Sequence, residues 1–393
     1  MMVEAFRVLE RAVLMESGRT MSEAAMSRRL PLWERHTTLG ARFGLVDGWE
    51  VVLSYVAPSD EYRQVRNQVG LVDLSHCGII KVSGGEAERF LNGLVTNDVK
   101  SLTKGRGMRA AFLTGHGKVK ALCRVLGLGD CFLILNDSQT HDKVYQYVYP
   151  FSYAGDFAVE DVTTRYGILS VQGPRSLLVM KEICFEPVTP MDEHQWSEAV
   201  IAGHNVMVVK ASRTGEAGYD ILTPIEGVVD VWDFILLKGG FHGLRAFGLE
   251  ALDLLRFEGG LPVYGIDIDE TNMMLETGLS DAVSFTKGCY TGQEAVAMAT
   301  YRGHVSKKLS GLTMEGDRLP SPGDKVLSQG RQVGVVTSAM RSETLDRVTA
   351  MAYIKYGFFE PGSTVEVQSE EGTLNALIVE LPFYRGVKVE PSI

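Results

Sequence analysis

The spacing of apolar residues along the chain predicts a mixture of strands and helices. Residues 79–84, "IIKVSG", alternate as a strand does, whereas 85–98, "GEAERFLNGLVTND", carries apolar residues at helical spacing. This helix is expected to end at its last three polar residues, which places Asp98 just past a helix C-terminus. A second helix is predicted from Gly248 to Phe257, and Gly259-Gly260 ends it.

Hairpins and short alternating runs make up much of the remaining sequence. The stretch "KVKALCRVLGLGDCFLILND" is typical of a hairpin, with two β-rich runs around Gly-Leu-Gly-Asp. Beyond residue 305, turn residues recur about every eight to twelve positions, which is typical of a small antiparallel barrel or sandwich. We therefore predict a domain boundary near residue 305, a C-terminal β domain over 305–393 and the α+β fold class for the whole chain.

The N-terminal stretch has a different pattern. Its apolar residues Phe6, Leu9, Val13 and Leu14 fit one face of a helix, so residues 1–29 are expected to form a helical extension docked on the body. Acidic residues interrupt the apolar ones, and no small-residue cleavage site follows, so this stretch is not expected to be a secretory signal.

Composition then limits the classes of function. A chain of 393 residues is expected to form two or three compact units. Its formal charge of −10 argues against nucleic-acid binding, and the lack of a run of about 18 apolar residues argues against a membrane span. Five scattered cysteines without metal-ligand spacing predict free thiols in a reducing compartment, the cytoplasm, and no metal site.

Asp98 is the first candidate functional residue. Its carboxylate would follow an apolar helix in a polar turn, where it could hold or protonate a nitrogen atom of a ligand. The alternative is a turn residue whose side chain binds its own backbone, which is common for Asp.

Two acids in "SRTGEAGYD", residues 212–220, form a second candidate site. Glu216 and Asp220 lie at the junction of a glycine-rich loop and a strand, where they could bracket a cationic or amidine-like group. Strand alternation puts Tyr219 and Asp220 on opposite faces. The alternative is a solvated turn.

The segment "KGCYTGQE" holds the third candidate, Cys289. Its glycines are expected to bring Lys287, Cys289 and Gln293 close together, and a nearby ammonium would favour the reactive thiolate. The alternative is a small buried thiol in a turn.

Several ordered stretches resemble one known family. The runs "PLWERHTTLGARFGLVDGWEVVLSY", "VRNQVGLVDLSHCGIIKVSGGEAERFLNGLVTNDV", "LSVQGPRS", "TGEAGYDI", "GLEALDLLRFEGGLPVYG" and "VGVVTSA" resemble the aminomethyltransferase, or T-protein, of the glycine cleavage system. The resemblance extends from about Leu30 to Pro382.

The resemblance implies both a fold and an activity. The fold would be a three-domain cloverleaf around a tetrahydrofolate cavity, with two interleaved α+β domains over 30–304 and a C-terminal β-barrel. The activity would be transfer of a one-carbon unit to tetrahydrofolate, with a lipoyl-carrier protein as partner.

The same resemblance implies roles for individual residues. Asp98 would lie beside the reacting folate nitrogen, and Asp220 would hold the pterin ring, with Arg213 and Glu216 nearby in the folate site. The chain departs from the family pattern at Arg213, where the family has Tyr, and at Leu252, where it has Arg. These departures allow a further alternative, a scaffold that no longer binds folate.

The segment "KGCYTGQE", followed by "YRG" and "KKL", instead resembles the signature of the YgfZ branch of folate-binding proteins. That branch is linked to the maintenance of iron–sulfur enzymes. This resemblance implies a functional thiol at Cys289, folate contacts from Lys287 and Tyr290, and iron–sulfur proteins as partners.

Overall fold

The computed structural model of the protein describes residues 27–153, 155–185, 191–370 and 372–386. The predicted N-terminal helix lies outside the described residues as far as residue 26, and Arg28–Arg29 form a short strand. Across the described ranges, no helix is both long and apolar enough to cross a membrane.

The described chain contains both helices and strands throughout. The helices are α1 (Trp33–Thr38), α2 (Pro58–Asn67), α3 (Ala87–Leu94), α4 (Ser138–Val148), α5 (Ser176–Ile183), α6 (Val228–Gly239), α7 (Leu249–Glu258) and α8 (Gln293–Arg302). The strands are β1 (Arg28–Arg29), β2 (Arg42–Val46), β3 (Trp49–Ser54), β4 (Val69–Asp73), β5 (Gly78–Ser83), β6 (Arg106–Leu113), β7 (Val119–Gly127), β8 (Cys131–Asn136), β9 (Ala158–Asp161), β10 (Tyr166–Gln172), β11 (Trp196–Ile201), β12 (His204–Lys210), β13 (Gly218–Pro224), β14 (Leu244–Ala246), β15 (Lys307–Met314), β16 (Lys325–Ser328), β17 (Arg331–Ser342), β18 (Arg347–Lys355), β19 (Thr364–Ser369) and β20 (Gly372–Val379).

The chain divides into two compact units. One contains Arg29–Leu309 together with the segment that starts at Leu381, and the other contains Ser310–Glu380. In the second unit, the strands close into a six-stranded barrel of order β15-β18-β17-β16-β19-β20 around its own apolar core. The prediction of an α+β chain with a C-terminal β-barrel is therefore confirmed.

Two sheets form the body of the larger unit. A six-stranded sheet has the order β11-β12-β13-β10-β4-β14, and a five-stranded sheet has the order β6-β7-β8-β5-β9. Helices α5 and α6 cover one face of the first sheet, and α3 and α4 cover one face of the second. A third apolar cluster joins the remaining faces of both sheets, and we call this region the inter-sheet layer.

The sequence pattern explains why side chains are divided between these layers. On β13, Tyr219 and Ile221 belong to the core under α5 and α6, whereas Leu222 belongs to the inter-sheet layer. Asp220 alternates with Tyr219 and so faces the inter-sheet layer. The predicted hairpin is also confirmed, because β7 and β8 pair antiparallel from Arg124 to Gly127.

Candidate functional site

Asp98 lies on a turn directly after α3, as the sequence predicts. Its half-buried side chain accepts a hydrogen bond from the Lys100 backbone N–H to Oδ1 at 3.2 Å. Asn97 Oδ1 accepts from the Asp98 N–H at 3.0 Å. The Asp98 side chain thus binds the backbone of its own turn, as the turn-residue alternative states, but only through Oδ1. Its second oxygen, Oδ2, accepts no hydrogen bond from the side chains and backbone described in the structure.

Lys287 holds this turn in place. Its ammonium group donates to the backbone carbonyls of Asn92, Val95 and Asn97 at 2.7, 2.8 and 2.7 Å. Burial lowers the pKa of Lys287 to about 8, and the nearby Asp98 carboxylate opposes that shift. The ammonium group is therefore still charged near neutral pH, with three N–H donors for three carbonyls.

Side chains of the turn itself join it to β6 and to the segment after α7. Thr96 donates to the Ala282 carbonyl at 2.6 Å, and the Asn97 amide donates to the carbonyls of Arg109 and Asp281 at 2.9 Å each. Because these contacts reach two other parts of the chain, the turn that carries Asp98 is firmly positioned.

Asp220 has a very different environment, in the inter-sheet layer. Its carboxylate is fully buried and accepts hydrogen bonds from Ser170 at 2.6 Å, from Arg124 at 2.7 Å and from Arg213, the shortest at 2.8 Å. Burial alone would raise the pKa of Asp220, but the Arg213 and Arg124 guanidinium groups outweigh it and lower that pKa. The solvated-turn alternative is wrong for Asp220, and its predicted placement opposite Tyr219 is confirmed.

Arg124 is the residue of this cluster that the sequence reasoning missed. It lies on β7 opposite Arg109 of β6 and reaches across the inter-sheet layer to Asp220. A signal was present in the run "ALCRVL", where Ala121, Cys123 and Val125 alternate into the core under α3 and α4. That alternation puts Arg124 on the opposite face, between the apolar residues Leu122 and Leu126.

Glu216 has different partners from Asp220. It is buried, accepts a hydrogen bond from the Tyr384 hydroxyl at 2.5 Å, and lies 3.7 Å from Arg66, which also pairs with Glu258 at 2.9 Å. The solvated-turn alternative is therefore wrong for Glu216 as well. The two acids do not bracket one cation in this structure, since each has its own arginine.

The "KGCYTGQE" segment places neighbouring residues in opposite environments. Cys289 is exposed, whereas Cys77, Cys123, Cys131 and Cys184 are buried. The buried-thiol alternative for Cys289 is therefore wrong.

Tyr290, next to Cys289, is buried in an apolar cluster beside β6, and burial raises its pKa. Its ring centroid lies 4.9 Å from the Lys287 ammonium group. Leu252, at the other family departure, is partly buried against the inter-sheet layer.

The sequence of the chain matches one family over most of its length. Over residues 32–287 the chain matches the family described as GCVT N-terminal domain, and over 307–385 it matches the glycine cleavage T-protein C-terminal barrel domain. The chain belongs to the glycine cleavage T-protein family.

Individual relatives cover nearly the whole chain. An aminomethyltransferase of Halothermothrix orenii is 32% identical over 357 residues, which cover 91% of this chain and 99% of the relative. One of Bacillus pumilus is 32% identical over 367 residues, covering 92% and 100%. The crystal structure of glycine cleavage system aminomethyltransferase T from Bartonella henselae superposes with a TM-score of 0.83 at 24% identity, covering 92% and 99%, which establishes a shared fold.

Proposed function

We propose that the protein transfers a one-carbon unit to tetrahydrofolate, as an aminomethyltransferase does. The observation that carries this proposal is the Asp98 turn. Its carboxylate is half-buried, has an oxygen available to a ligand, and lies on a turn fixed by three hydrogen bonds from Lys287. A firmly positioned acceptor of this kind is what a reacting N–H group requires.

The chemistry required of Asp98 is limited. As the folate nitrogen attacks the carbon of the aminomethyl group, a new C–N bond forms and the bond from that carbon to the amine breaks. The proton lost by the folate nitrogen passes by way of Asp98 to the amine, which leaves as ammonia. Asp98 would orient the N–H group and accept that proton. Positioning of the reactants accounts for the rest, an effect of up to about 7–11 kcal/mol when they are held in near-attack geometry.

The Asp220 carboxylate is already paired with protein donors, which disfavours direct contact with a pterin ring. Every oxygen of that carboxylate already accepts hydrogen bonds, from Ser170, Arg124 and Arg213. We therefore propose that Arg213, rather than Asp220, faces the pterin ring, with guanidinium N–H groups donating to the ring's oxygen and nitrogen acceptors. Lipoyl-carrier protein is the proposed source of the one-carbon unit.

Calorimetric titration with tetrahydrofolate under anaerobic conditions tests the proposal. We expect saturable binding by the full chain, and in Asp98→Asn a loss of transfer from an aminomethyl-loaded lipoyl carrier of about 100-fold or more, the usual range for a general base. Glu88→Gln is the matched control, because Glu88 is an exposed acid on α3, close in sequence to Asp98. Absence of folate binding, or equal activity of both variants, would disprove the proposed function.

A second function is favoured by the exposure of Cys289, which distinguishes it from the four buried cysteines. We propose as the alternative a folate-dependent accessory factor for iron–sulfur proteins that uses this thiol. Cys289→Ser should then lower iron–sulfur enzyme activities in cells without changing folate affinity, while Cys184→Ser should not. Full complementation by Cys289→Ser would remove support for this alternative.

A further inference from the structure

The Asp220 cluster carries more positive charge than Asp220 can neutralise. Arg124 and Arg213 both direct guanidinium N–H groups at one carboxylate, so the trio has a net charge of one positive unit. Among the described residues, the hydrogen bonds of Arg124 use one of its nitrogens, Nη1, and those of Arg213 from its side chain use Nε and Nη2. Each arginine therefore retains N–H donors for another acceptor.

The surrounding charges do not remove this excess. Arg109 lies opposite Arg124 in the register of β6 and β7. Its carboxylate partner, Asp281, is 3.3 Å away and about half exposed, so solvent screens that pair. Glu193 also lies near Arg124 and is 40% exposed, so solvent screens it as well, and the positive charge around Arg124 is only partly balanced.

His194 provides an independent observation at the same place. Its side chain is 7% exposed, and neither ring nitrogen has a hydrogen-bond partner within residues 27–153, 155–185, 191–370 and 372–386. Burial, together with the nearby Arg124 and Arg109 guanidinium groups, lowers the pKa of His194 to about 3. The ring is therefore neutral at pH 7 and has one N–H donor without a protein acceptor among the described residues.

A buried polar group without a partner is costly, at about 1–3 kcal/mol, and usually indicates a ligand or an ordered water. His194 adopts a left-handed backbone conformation with φ of 68°, and its N–H donates to the Lys210 carbonyl at 2.8 Å. The His194 carbonyl lies against Gly107 of β6, whose partner in register is Leu126, two residues from Arg124, so the main chain fixes this imidazole beside the strand that carries Arg124. The Glu193 carboxylate is 3.9 Å from His194 Nδ1, beyond hydrogen-bond distance.

We propose that Arg124, Arg213 and His194 form a binding subsite for a carboxylate group. Planar guanidinium forks match the planar geometry of a carboxylate, and an imidazole N–H supplies a further donor. Apolar residues of the inter-sheet layer adjoin this cluster, which suits a small planar anion attached to an organic ligand. The carboxylate belongs to a carboxylate-bearing one-carbon donor, because the proposed function assigns Arg213 to the pterin ring, at the end of the folate opposite its glutamate tail.

The proposal concerns the same region as the proposed function but does not depend on folate binding. The probe is acetate, added to the full chain with histidine side chains labelled for NMR and with ionic strength held constant by chloride. We expect saturable shifts of the His194 imidazole resonances, assigned by their loss in His194→Asn. Acetamide, which has the same shape without the charge, should cause no saturable shift. Equal responses to both, no response to acetate, or tighter binding of inorganic phosphate would each overturn the proposal.

Variants locate the subsite. Arg124→Gln should weaken acetate binding at least about tenfold, or about 1.4 kcal/mol. Arg106→Gln is the control, because Arg106 is an exposed arginine on the same strand as Arg109, and its acetate affinity should equal that of the wild type. Equal affinities in both variants would overturn the proposal. If Arg124→Gln does not fold, the comparison of acetate with acetamide in the wild-type chain decides.

Competition with folate tests this source of the carboxylate. If acetate binds equally well to the folate-saturated protein, the one-carbon donor supplies the carboxylate. If acetate and tetrahydrofolate compete while tetrahydropterin, which lacks the glutamate tail, does not compete with acetate, the folate tail is the ligand, and both the donor as the source and the contact of Arg213 with the pterin ring are wrong. If tetrahydrofolate does not bind at all, the proposed function fails, and acetate binding alone decides on the subsite.

Discussion

At the scale of single residues, Asp98 and Asp220 show how environment determines the use of one side-chain type. Asp98 is half-buried, and its carboxylate accepts one hydrogen bond from the described chain. Asp220 is fully buried and is held by Ser170 and two arginines. The first carboxylate is therefore available to a ligand, while the second mainly keeps two guanidinium groups in the inter-sheet layer.

The first prediction concerns Asp220. Asp220→Asn should lower the free energy of unfolding by about 3 kcal/mol, because the substitution leaves two largely buried arginines without their counter-charge. Urea denaturation measures this change. Asp60→Asn is the control, since Asp60 pairs with Arg63 on the surface and should shift the free energy by less than about 0.5 kcal/mol. Equal effects would show that the buried cluster does not need its acid.

The second prediction concerns His194 and pH. Its pKa is about 3 in the folded chain but about 6.5 when unfolded, so between these values the unfolded state binds more protons and stability falls as pH falls. From pH 7 to pH 5, the wild type should lose up to about 2 kcal/mol more than His194→Asn does. Denaturation in buffers free of carboxylates measures the difference. Parallel pH curves for the two proteins would contradict a buried neutral imidazole.

At the scale of elements, the C-terminus of α3 depends on a distant segment. The last carbonyl groups of a helix have no partner within the helix, and here Val95, in an extended conformation, follows without a glycine cap. Lys287 supplies the missing donors to Asn92 and Val95 from 195 and 192 residues away in the chain. The "KGCYTGQE" segment therefore stabilises the turn that carries Asp98.

A third prediction tests this helix end. Lys287→Met should lower the free energy of unfolding by about 3 kcal/mol, because it removes charge-assisted hydrogen bonds to three carbonyls. It should also weaken one-carbon transfer, since Asp98 loses its fixed position. Lys100→Met provides the comparison, as Lys100 is exposed on the same turn and should change stability by less than about 0.5 kcal/mol. Unchanged unfolding of Lys287→Met would argue against the capping role.

At the scale of the whole molecule, the chain contains separate cores in its two compact units. The barrel unit, Ser310–Glu380, has its own cluster of buried residues, whereas Asp98, Asp220 and Cys289 all belong to the other unit. Substitutions in the barrel core should therefore change stability locally and leave the candidate site intact.

The fourth prediction follows from this division. Ile354→Ala, at a fully buried position on β18, should cost the barrel about 2–5 kcal/mol of stability through lost burial and a cavity. Hydrogen exchange should then increase in the barrel strands but not in β4, β10 or β13. Leu377→Ala, at a position 39% exposed on β20, should have little effect. Increased exchange throughout both units after Ile354→Ala would refute independent cores.

Local sequence patterns were enough to predict several elements and the faces of their strands. Apolar alternation predicted the hairpin of β7 and β8, the barrel strands and the opposite faces of Tyr219 and Asp220, because side-chain direction in a strand depends only on position along it. The polar turn after α3 was also predicted, because helix ends carry local sequence signals.

The partners of these side chains depend on long-range packing. Arg124 meets Asp220 across 96 positions of sequence, Lys287 reaches Asn97 across 190, and Tyr384 reaches Glu216 across 168. Such contacts depend on how the two sheets of the larger unit and the segment that starts at Leu381 pack together. The periodicity of a local stretch of sequence does not encode that packing. The partners of each group determine its protonation state and which of its donors remain available to a ligand. The chemistry of the site therefore depends on the folded chain.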